Sequence, residues 1–307
     1  MKLGIGLALS SSVLFATLYY YSTLLSPLGG EDIFAWRILL GMPALAILIS
    51  RSRGWGEARG LWVALRADPK LFVVLLTGAA LIGVQLWLFM WAPLHQKALD
   101  VSLGYFLLPL TMVLAGSLFY HERLGALQWA AVALAAVGVA HELIRTASFS
   151  WATALVMFGY PPYFMLRRRL RYGSLLMLWV DVLLLVPAAL AMLIFHDGVV
   201  APFLAHPRLL LLVPLMGVLS SAALACYISA SRLLPMSLFG LLGYMEPVLL
   251  FWVALLLLGE GMAPGALWTY GPIWGAVGLI ALQGVRSWLA ERNAAAGQKK
   301  AAESSRL

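Results

Sequence analysis

Long apolar runs separated by short polar loops dominate the pattern of this chain. A helix of about 20 apolar residues crosses about 30 Å of hydrocarbon. Ten runs meet that length, over residues 3–25, 32–50, 71–95, 101–120, 125–142, 149–166, 173–195, 209–231, 235–258 and 266–287. Segment 51–70 is too polar to cross, and is either a short helix in the cytoplasmic interface or a solvated loop. The pattern predicts an all-α integral membrane protein with ten transmembrane helices.

Basic residues lie mainly in alternate loops, which fixes the predicted orientation. If the N-terminus is inside, only Lys97, Arg145 and Arg208 fall on the outer side. Cytoplasmic loops carry the excess of Lys and Arg in membrane proteins. Both termini are therefore predicted to be cytoplasmic in a multi-pass protein. Residues 288–307 are predicted to be a disordered cytoplasmic tail, because the chain is small, polar and charged from Ala294 on.

The composition argues against a soluble protein and against a nucleic-acid-binding one. The chain has 307 residues, of which 63% are hydrophobic and 11% charged, whereas a soluble domain has about 25% charged residues. The net charge of +8 lies in short clusters between apolar runs, so it does not indicate nucleic-acid binding. The single Cys226 excludes an intramolecular disulfide. Five scattered histidines give no metal-binding pattern, and no cofactor is predicted.

Two segments of the chain resemble one another. An apolar run leads from Pro109 to Glu122 and another from Pro247 to Glu260, and in both the Glu lies thirteen positions after the Pro. Two halves of five spans each must have opposite orientations, an arrangement by which secondary transporters build a site reachable from either side. The predicted units are residues 1–145, the inverted residues 146–287, and the tail 288–307.

Three charged residues lie where lipid would otherwise be expected. Arg37, Asp181 and Glu246 fall inside apolar runs, where each costs roughly 2.5–3.5 kcal/mol on insertion scales. All three are candidate coupling residues or pore charges. Pro109 and Pro247 remove backbone donors and predict broken helices with free carbonyls beside Glu246. A carboxylate there suits proton binding and release. The alternative is structural pairing, for example of Glu246 with Arg37, whose side chain is also shallow enough to reach the outer interface.

Aromatic and polar residues in several runs are candidates for lining a solute cavity, because aromatic rings bind flat or amphipathic molecules. The alternative for Trp91 and His95, near the outer face, is interfacial anchoring. Small residues at Ala131 and Ala135, and at Gly271 and Gly275, permit close helix packing within one chain or in a homodimer. The candidate substrate-binding residues are Gln85, Trp87, Tyr105, Tyr160, Tyr163 and Tyr244.

Several of these sequence features are similar to those of one known protein family. The chain resembles the RarD branch (chloramphenicol-sensitive proteins) of the EamA family, in the drug/metabolite transporter superfamily. The resemblance is carried by Ser-Leu-Gly-Tyr-Phe at 102–106, Glu-Arg-Leu at 122–124 and Tyr-Met-Glu-Pro at 244–247. It implies ten helices in two inverted EamA repeats and a bacterial inner-membrane permease for small organic solutes. This chain has His121 where the family usually has Gly.

The leading hypothesis is a secondary active transporter of small organic solutes, such as amino-acid-like metabolites or amphipathic drugs, and not an enzyme. The sequence has no Gly-rich Walker loop with Lys, so energy would come from an ion or solute gradient. Glu246 would link transport to protons. The alternatives are an integral-membrane enzyme that modifies lipids and a membrane scaffold without transport activity.

Overall fold

The computed structural model describes residues 2–51, 54–92, 98–146, 149–195, 201–257, 265 and 267–283. All regular secondary structure in those ranges is helical, as predicted. The helices are α1 (Lys2–Thr23), α2 (Gly30–Arg51), α3 (Trp55–Ala67), α4 (Lys70–Trp91), α5 (Ala98–Tyr120), α6 (Ala126–Thr146), α7 (Trp151–Arg169), α8 (Ser174–Phe195), α9 (Ala201–Ala205), α10 (Leu209–Leu233), α11 (Met236–Leu242), α12 (Met245–Leu256) and α13 (residues 267–283).

Seven described helices are long and apolar enough to cross a membrane, namely α1, α2, α4, α5, α6, α8 and α10. The predicted sixth span corresponds to α7, which ends in three arginines and is less apolar as a result. The predicted ninth span is divided into α11 and α12, and the tenth is described over 267–283. The multi-pass membrane architecture follows from these helices, while the count of ten spans stays a prediction. Glu260 and the tail lie outside the described residues.

Helices from the two predicted units alternate in the packed bundle. The main contacts across the units join α1 to α10, α4 to α7, α2 to α8, α5 to α11, α5 to α7, α1 to α12, α2 to α10 and α4 to α8. A large apolar cluster lies between these helices. A second cluster joins α5 and α6 to α11, α12 and α13. The units therefore share a common interior.

The two prolines predicted to break helices behave differently. α5 continues through Pro109, so the break expected there is not seen. In the predicted ninth span the helix ends at Leu242 and restarts at Met245, which puts Pro247 in the first turn of α12. A proline in a first turn is well tolerated, because the N–H it lacks would have no intrahelical partner. The break therefore lies at Gly243 and Tyr244, just before the proline.

Polar contacts hold together the end of the bundle that is predicted to face the cytoplasm. The Glu122 carboxylate accepts hydrogen bonds from the backbone N–H groups of Met236 and Ser237, at 2.7 and 2.8 Å, and so joins the end of α5 to the start of α11. Arg168 donates to the carbonyls of Ser231 and Leu234, at 2.8 and 2.6 Å. These bonds satisfy backbone groups at helix ends that would otherwise lack partners.

Segment 51–70 contains the helix α3, one of the two predicted alternatives. α3 contacts α4 and α8, and the Trp55 ring lies 5.3 Å from that of Trp179. The Glu57 carboxylate accepts a hydrogen bond from the Gly173 N–H in the connection between α7 and α8. α3 is therefore attached to the bundle at the same end as Arg168.

Candidate functional site

Seven helices enclose a cavity in the shared interior. Its volume is about 40 Å³, room for a few water molecules. The lining is mostly apolar and aromatic, with one cation and one carboxylate. The lining side chains are Phe15 and Leu18 from α1, Arg37 from α2, Ile82, Leu86 and Phe89 from α4, Tyr105 from α5, Tyr160 from α7, Leu224 and Tyr227 from α10, and Glu246 from α12.

Arg37 is the cationic group of the cavity. Its side chain is buried, with 5% exposure, so the expectation that it extends to the outer interface is wrong. The Nε atom donates to the Ser220 hydroxyl at 2.9 Å. Because the Nε is already bonded, only the two terminal nitrogens remain to donate, and they have no protein acceptor among the described residues. Helix α2 therefore presents a partly satisfied guanidinium to the cavity.

Glu246 is the anionic group of the same cavity. It lies in the first turn of α12, where the helix dipole favours a negative charge. Within the described residues, its carboxylate has no hydrogen-bond donor and no basic partner within 4.0 Å. The alternative that Glu246 pairs with Arg37 is thus not realised, although both residues line one small cavity. Two opposite charges face a largely apolar space without contacting each other.

Tyrosine side chains supply the remaining polar atoms of the lining. The hydroxyls of Tyr105 and Tyr160 lie 3.3 Å apart. Tyr160 stacks on Phe164 with ring centroids 6.1 Å apart, and Tyr227 packs edge-on against Phe164 at 5.5 Å and against Phe15 at 5.7 Å. This connected set of rings gives the cavity an aromatic wall with hydroxyl groups at its surface.

Tyr227 and Ser220 are residues that the sequence analysis missed. A signal was present in the repeat, because Pro109 and Pro247 are separated by 138 positions. The same separation relates the lining residues Leu86 and Leu224, and Phe89 and Tyr227. It also relates Ile82, in the lining, to Ser220, which holds Arg37. Because Ile82, Leu86 and Phe89 carry no polar group that singles them out in the sequence, the repeat identifies these three residues of α10 only once the cavity is known.

Four of the predicted substrate-binding residues do not line the cavity. Gln85 is buried and donates from Nε2 to the Leu155 carbonyl at 2.8 Å, which joins α4 to α7. The Trp87 ring packs 5.2 Å from that of Trp91. Tyr244 donates to the Phe106 carbonyl at 3.1 Å within the second apolar cluster. These contacts assign Tyr244 and the Gln85 Nε2 to helix packing, while the buried Gln85 Oε1 has no hydrogen-bond partner among the described residues. His95 lies outside the described residues.

Tyr163 is the fourth predicted substrate-binding residue that does not line the cavity. It forms a separate buried network with Asp181. Asp181 forms an ion pair with Arg167 of α7 and accepts a hydrogen bond from the Tyr163 hydroxyl at 2.9 Å. Asp181 and Arg167 are 0% and 1% exposed. Arg167 follows the predicted sixth span, 149–166, and therefore falls in a predicted cytoplasmic loop, but α7 continues to Arg169 and buries it. The structure therefore supports the structural alternative for Asp181.

A further polar group joins α6 to α13 away from the cavity. Glu142 accepts a hydrogen bond from the Thr269 hydroxyl at 2.7 Å and forms an ion pair with Arg145. His141 lies 2.9 Å from the same hydroxyl through Nδ1. Within the ranges that the structure describes, no three His, Cys, Asp or Glu residues are grouped so as to hold a metal ion.

Comparison with known proteins places this arrangement in a family. Residues 2–141 match the model of the EamA-like transporter family. The chain is 47% identical over 274 residues to the chloramphenicol-sensitive protein RarD of Pseudomonas aeruginosa, covering 89% of this chain and 92% of that protein. It is 42% identical to an uncharacterized transporter of Pasteurella multocida, covering 83% and 87% of the two chains.

One solved crystal structure has a similar fold. It superposes with a TM-score of 0.67 at 18% identity, covering 93% of this chain and 99% of that one. At 18% identity the structural likeness shows the fold alone. The family is shown by the Pseudomonas and Pasteurella relatives, which match over most of their length. The chain belongs to the RarD branch of the EamA-like transporter family, within the drug/metabolite transporter superfamily.

Proposed function

We propose that the protein is a secondary active transporter of small organic solutes, which pass through the cavity that Arg37 and Glu246 line. Residues 1–145 and 146–287 would form two inverted five-helix units, ten spans in all, with both termini in the cytoplasm of a bacterial cell. Membership of a transporter family supports the broad class of activity. The path and its coupling are argued from the described side chains.

The contacts between helices support the inverted duplication. In the proposed repeat, α1, α2, α4, α5 and α6 correspond to α7, α8, α10, α11 with α12, and α13. The contact of α1 with α10 then has its counterpart in that of α7 with α4. Likewise α2 with α10 corresponds to α8 with α4, and α5 with α7 corresponds to α12 with α1. Such reciprocal contacts are expected of two units related by a pseudo-two-fold axis.

The observation that carries the proposal is that Arg37 and Glu246 line one internal cavity without pairing with each other, and that neither has a charged partner among the described residues. A buried charge without a partner is costly, by several kcal/mol of desolvation per ion, so its presence needs a reason beyond packing. Solute sites usually have volumes of about 300–1,000 Å³, far above the 40 Å³ of this cavity. Entry of a solute therefore requires the surrounding helices to separate, which is the movement that alternating access supplies.

Glu246 is the proposed site of coupling to protons. The carboxylate has no cationic partner within the described part of the chain, so it can be neutralised by a proton or by a cationic group of the solute. The junction between α11 and α12 lies immediately before it, where short turn hydrogen bonds from Tyr244 to Leu241 and from Glu246 to Gly243 interrupt the regular helical pattern. This junction is the proposed hinge of α12. Proton binding at Glu246 would then change which conformation the bundle favours.

The test uses purified protein reconstituted in proteoliposomes with an imposed pH gradient. The probes are L-leucine, L-phenylalanine, uridine and chloramphenicol, the last because it occurs in the name of the Pseudomonas relative. We expect at least one probe to accumulate only when the gradient is present. The Glu246→Gln protein should lose this accumulation, while Glu142→Gln, a control at a carboxylate outside the cavity, should keep it.

Two results would contradict the proposal in different ways. If no probe is bound or transported by the unmodified protein, the assignment as a transporter of these solutes fails. If a probe is transported but Glu246→Gln retains full gradient-driven accumulation, transport stands and the coupling role of Glu246 is excluded. No contact in the described residues favours the alternatives of a lipid-modifying enzyme or a scaffold.

A further inference from the structure

The charges of the cavity indicate which solutes it accepts, on the assumption that the proposed transport function holds. The lining contains one guanidinium and one carboxylate, surrounded by apolar and aromatic side chains. We propose that the cavity binds zwitterionic solutes with an apolar substituent, such as apolar α-amino acids, with the solute carboxylate at Arg37 and its ammonium group at Glu246.

Arg37 is oriented to receive a carboxylate. Its Nε donates to the Ser220 hydroxyl, which fixes the plane of the guanidinium and leaves the two terminal nitrogens for another acceptor. A guanidinium is a planar fork of donors whose geometry matches the two oxygens of a carboxylate. Ser220 is therefore a positioning residue, which acts on the solute through Arg37.

Glu246 supplies the complementary charge. Its side chain meets no basic group among the described residues, and the nearby Tyr105, Tyr160 and Tyr227 line the same cavity. An ammonium group is attracted by a carboxylate and also by the faces of aromatic rings. Leu18, Leu86 and Leu224 complete the wall and suit an apolar substituent.

A solute with only one charge would satisfy only one end of the cavity. A simple carboxylate would leave Glu246 buried without a partner, and a simple amine would leave Arg37 in that state. Sites built to hydrogen-bond a polar group reject analogues that lack it by large factors, because the site's own buried groups are left unpaired. A neutral amphipathic molecule would leave both charges unpaired and is disfavoured further.

The first experiment compares ligands on the unmodified full-length protein, so that it depends on no variant folding. The probes are L-leucine, L-leucine amide, which lacks the carboxylate, and 4-methylpentanoate, which lacks the amine. L-phenylalanine with its amide and deaminated acid forms a second set. In binding assays on detergent-purified protein, at least one amino acid should bind about tenfold or more tightly than both of its analogues.

The second experiment separates the role of Arg37 from general stability. Ser220→Ala should weaken amino-acid binding several-fold and reduce the preference over the amide, while binding of the amide itself changes little. Ser221→Ala is the matched control, because that buried neighbour donates to the Gly217 and Gly41 carbonyls, at 2.7 and 3.4 Å, and not to another side chain. Arg37→Gln should remove most of the preference for the acid over the amide.

The outcomes distinguish this inference from the proposed function. Transport of uridine or chloramphenicol without binding of either amino acid would overturn the zwitterion assignment and leave transport intact. Equal binding of L-leucine, its amide and 4-methylpentanoate, and likewise of the phenylalanine set, would also overturn it. If none of the probes is bound or transported, both the inference and the proposed transporter fail.

Discussion

Replacing Asp181 by Asn should destabilise the protein strongly, because it removes the charge that neutralises the buried Arg167. Both side chains are almost completely inaccessible. Arg167 also lies against Gly78 of α4, where an added Cβ would come within 2.6 Å of its Nη2 atom. The guanidinium is therefore closely packed against α4 and stays buried when its partner is neutral.

The size of the effect follows from the burial of the pair. Removing one partner of a buried ion pair typically costs about 3–5 kcal/mol. Asn still offers one oxygen to Arg167 and can bond the Tyr163 hydroxyl, so we expect about 3 kcal/mol in the free energy of unfolding. Replacing both partners with apolar residues, Asp181→Leu with Arg167→Met, should cost less than the single Asp181→Asn change, because no uncompensated charge remains.

Equilibrium unfolding in detergent micelles provides the measurement, with Arg145→Met as the control. The Arg145–Glu142 pair is less buried, with side chains 36% and 10% exposed, and Glu142 keeps its hydrogen bond from Thr269, so Arg145→Met should cost less than Asp181→Asn. A loss below about 1 kcal/mol for Asp181→Asn, or a double variant less stable than the single one, would refute the structural assignment of Asp181. Loss of transport with full stability would instead return Asp181 to the list of coupling residues.

Three further changes have defined expectations. Gly104→Ala should lower the free energy of unfolding by about 1–3 kcal/mol, since its Cβ would lie 2.6 Å from the Val156 side chain of α7. Gly6→Ala, whose Cβ would have nothing within 4 Å, should raise it by up to about 1 kcal/mol. Equal effects of the two changes in thermal unfolding would contradict the packing of α5 on α7. His121→Gly should stabilise by about 1 kcal/mol because His121 has a φ of +52°, and a loss in the same assay would show a side-chain role. Tyr244→Phe should cost about 1 kcal/mol through its lost hydrogen bond yet leave solute affinity unchanged, and a several-fold loss of affinity would place it at the site.

The sequence predicted the helices well because a bilayer demands long apolar runs. The predicted helix breaks were less accurate, because the position of a break depends on local backbone geometry and on contacts between helices. Pro247 indicated a helix break in the right region, but the break lies at Gly243 and Tyr244, since a proline fits the first turn of the following helix. Pro109 was read in the same way, yet α5 accommodates it.

The two charges of the cavity were predictable, and their surroundings were not. Arg37 and Glu246 stood out because a charge inside an apolar run is costly. Which residues face them depends on the register between distant helices, so Ser220, 183 positions from Arg37, was missed. Arg167 was counted among loop cations for the same reason, because its partner Asp181 lies on the next helix of the bundle.

The backbone conformation of His121 explains why related proteins usually have Gly at this position. His121 follows the last residue of α5 and adopts a left-handed conformation. Glycine is the usual residue at that position after a helix, because it has no Cβ to clash with the neighbouring carbonyl. The sequence alone gave no reason for the family's Gly, since the exact end of the helix was uncertain.

Site-directed cysteine labelling tests the inverted duplication most directly. In a Cys226→Ser background, single cysteines are introduced at Arg123, which follows the fourth predicted span, and at Met262, beside Glu260 after the ninth. Intact cells are treated with a membrane-impermeant maleimide before and after permeabilisation. Opposite units require Met262→Cys to react in intact cells and Arg123→Cys to react only after permeabilisation. Labelling of both cysteines from the same side would contradict the inverted duplication and remove the basis for alternating access.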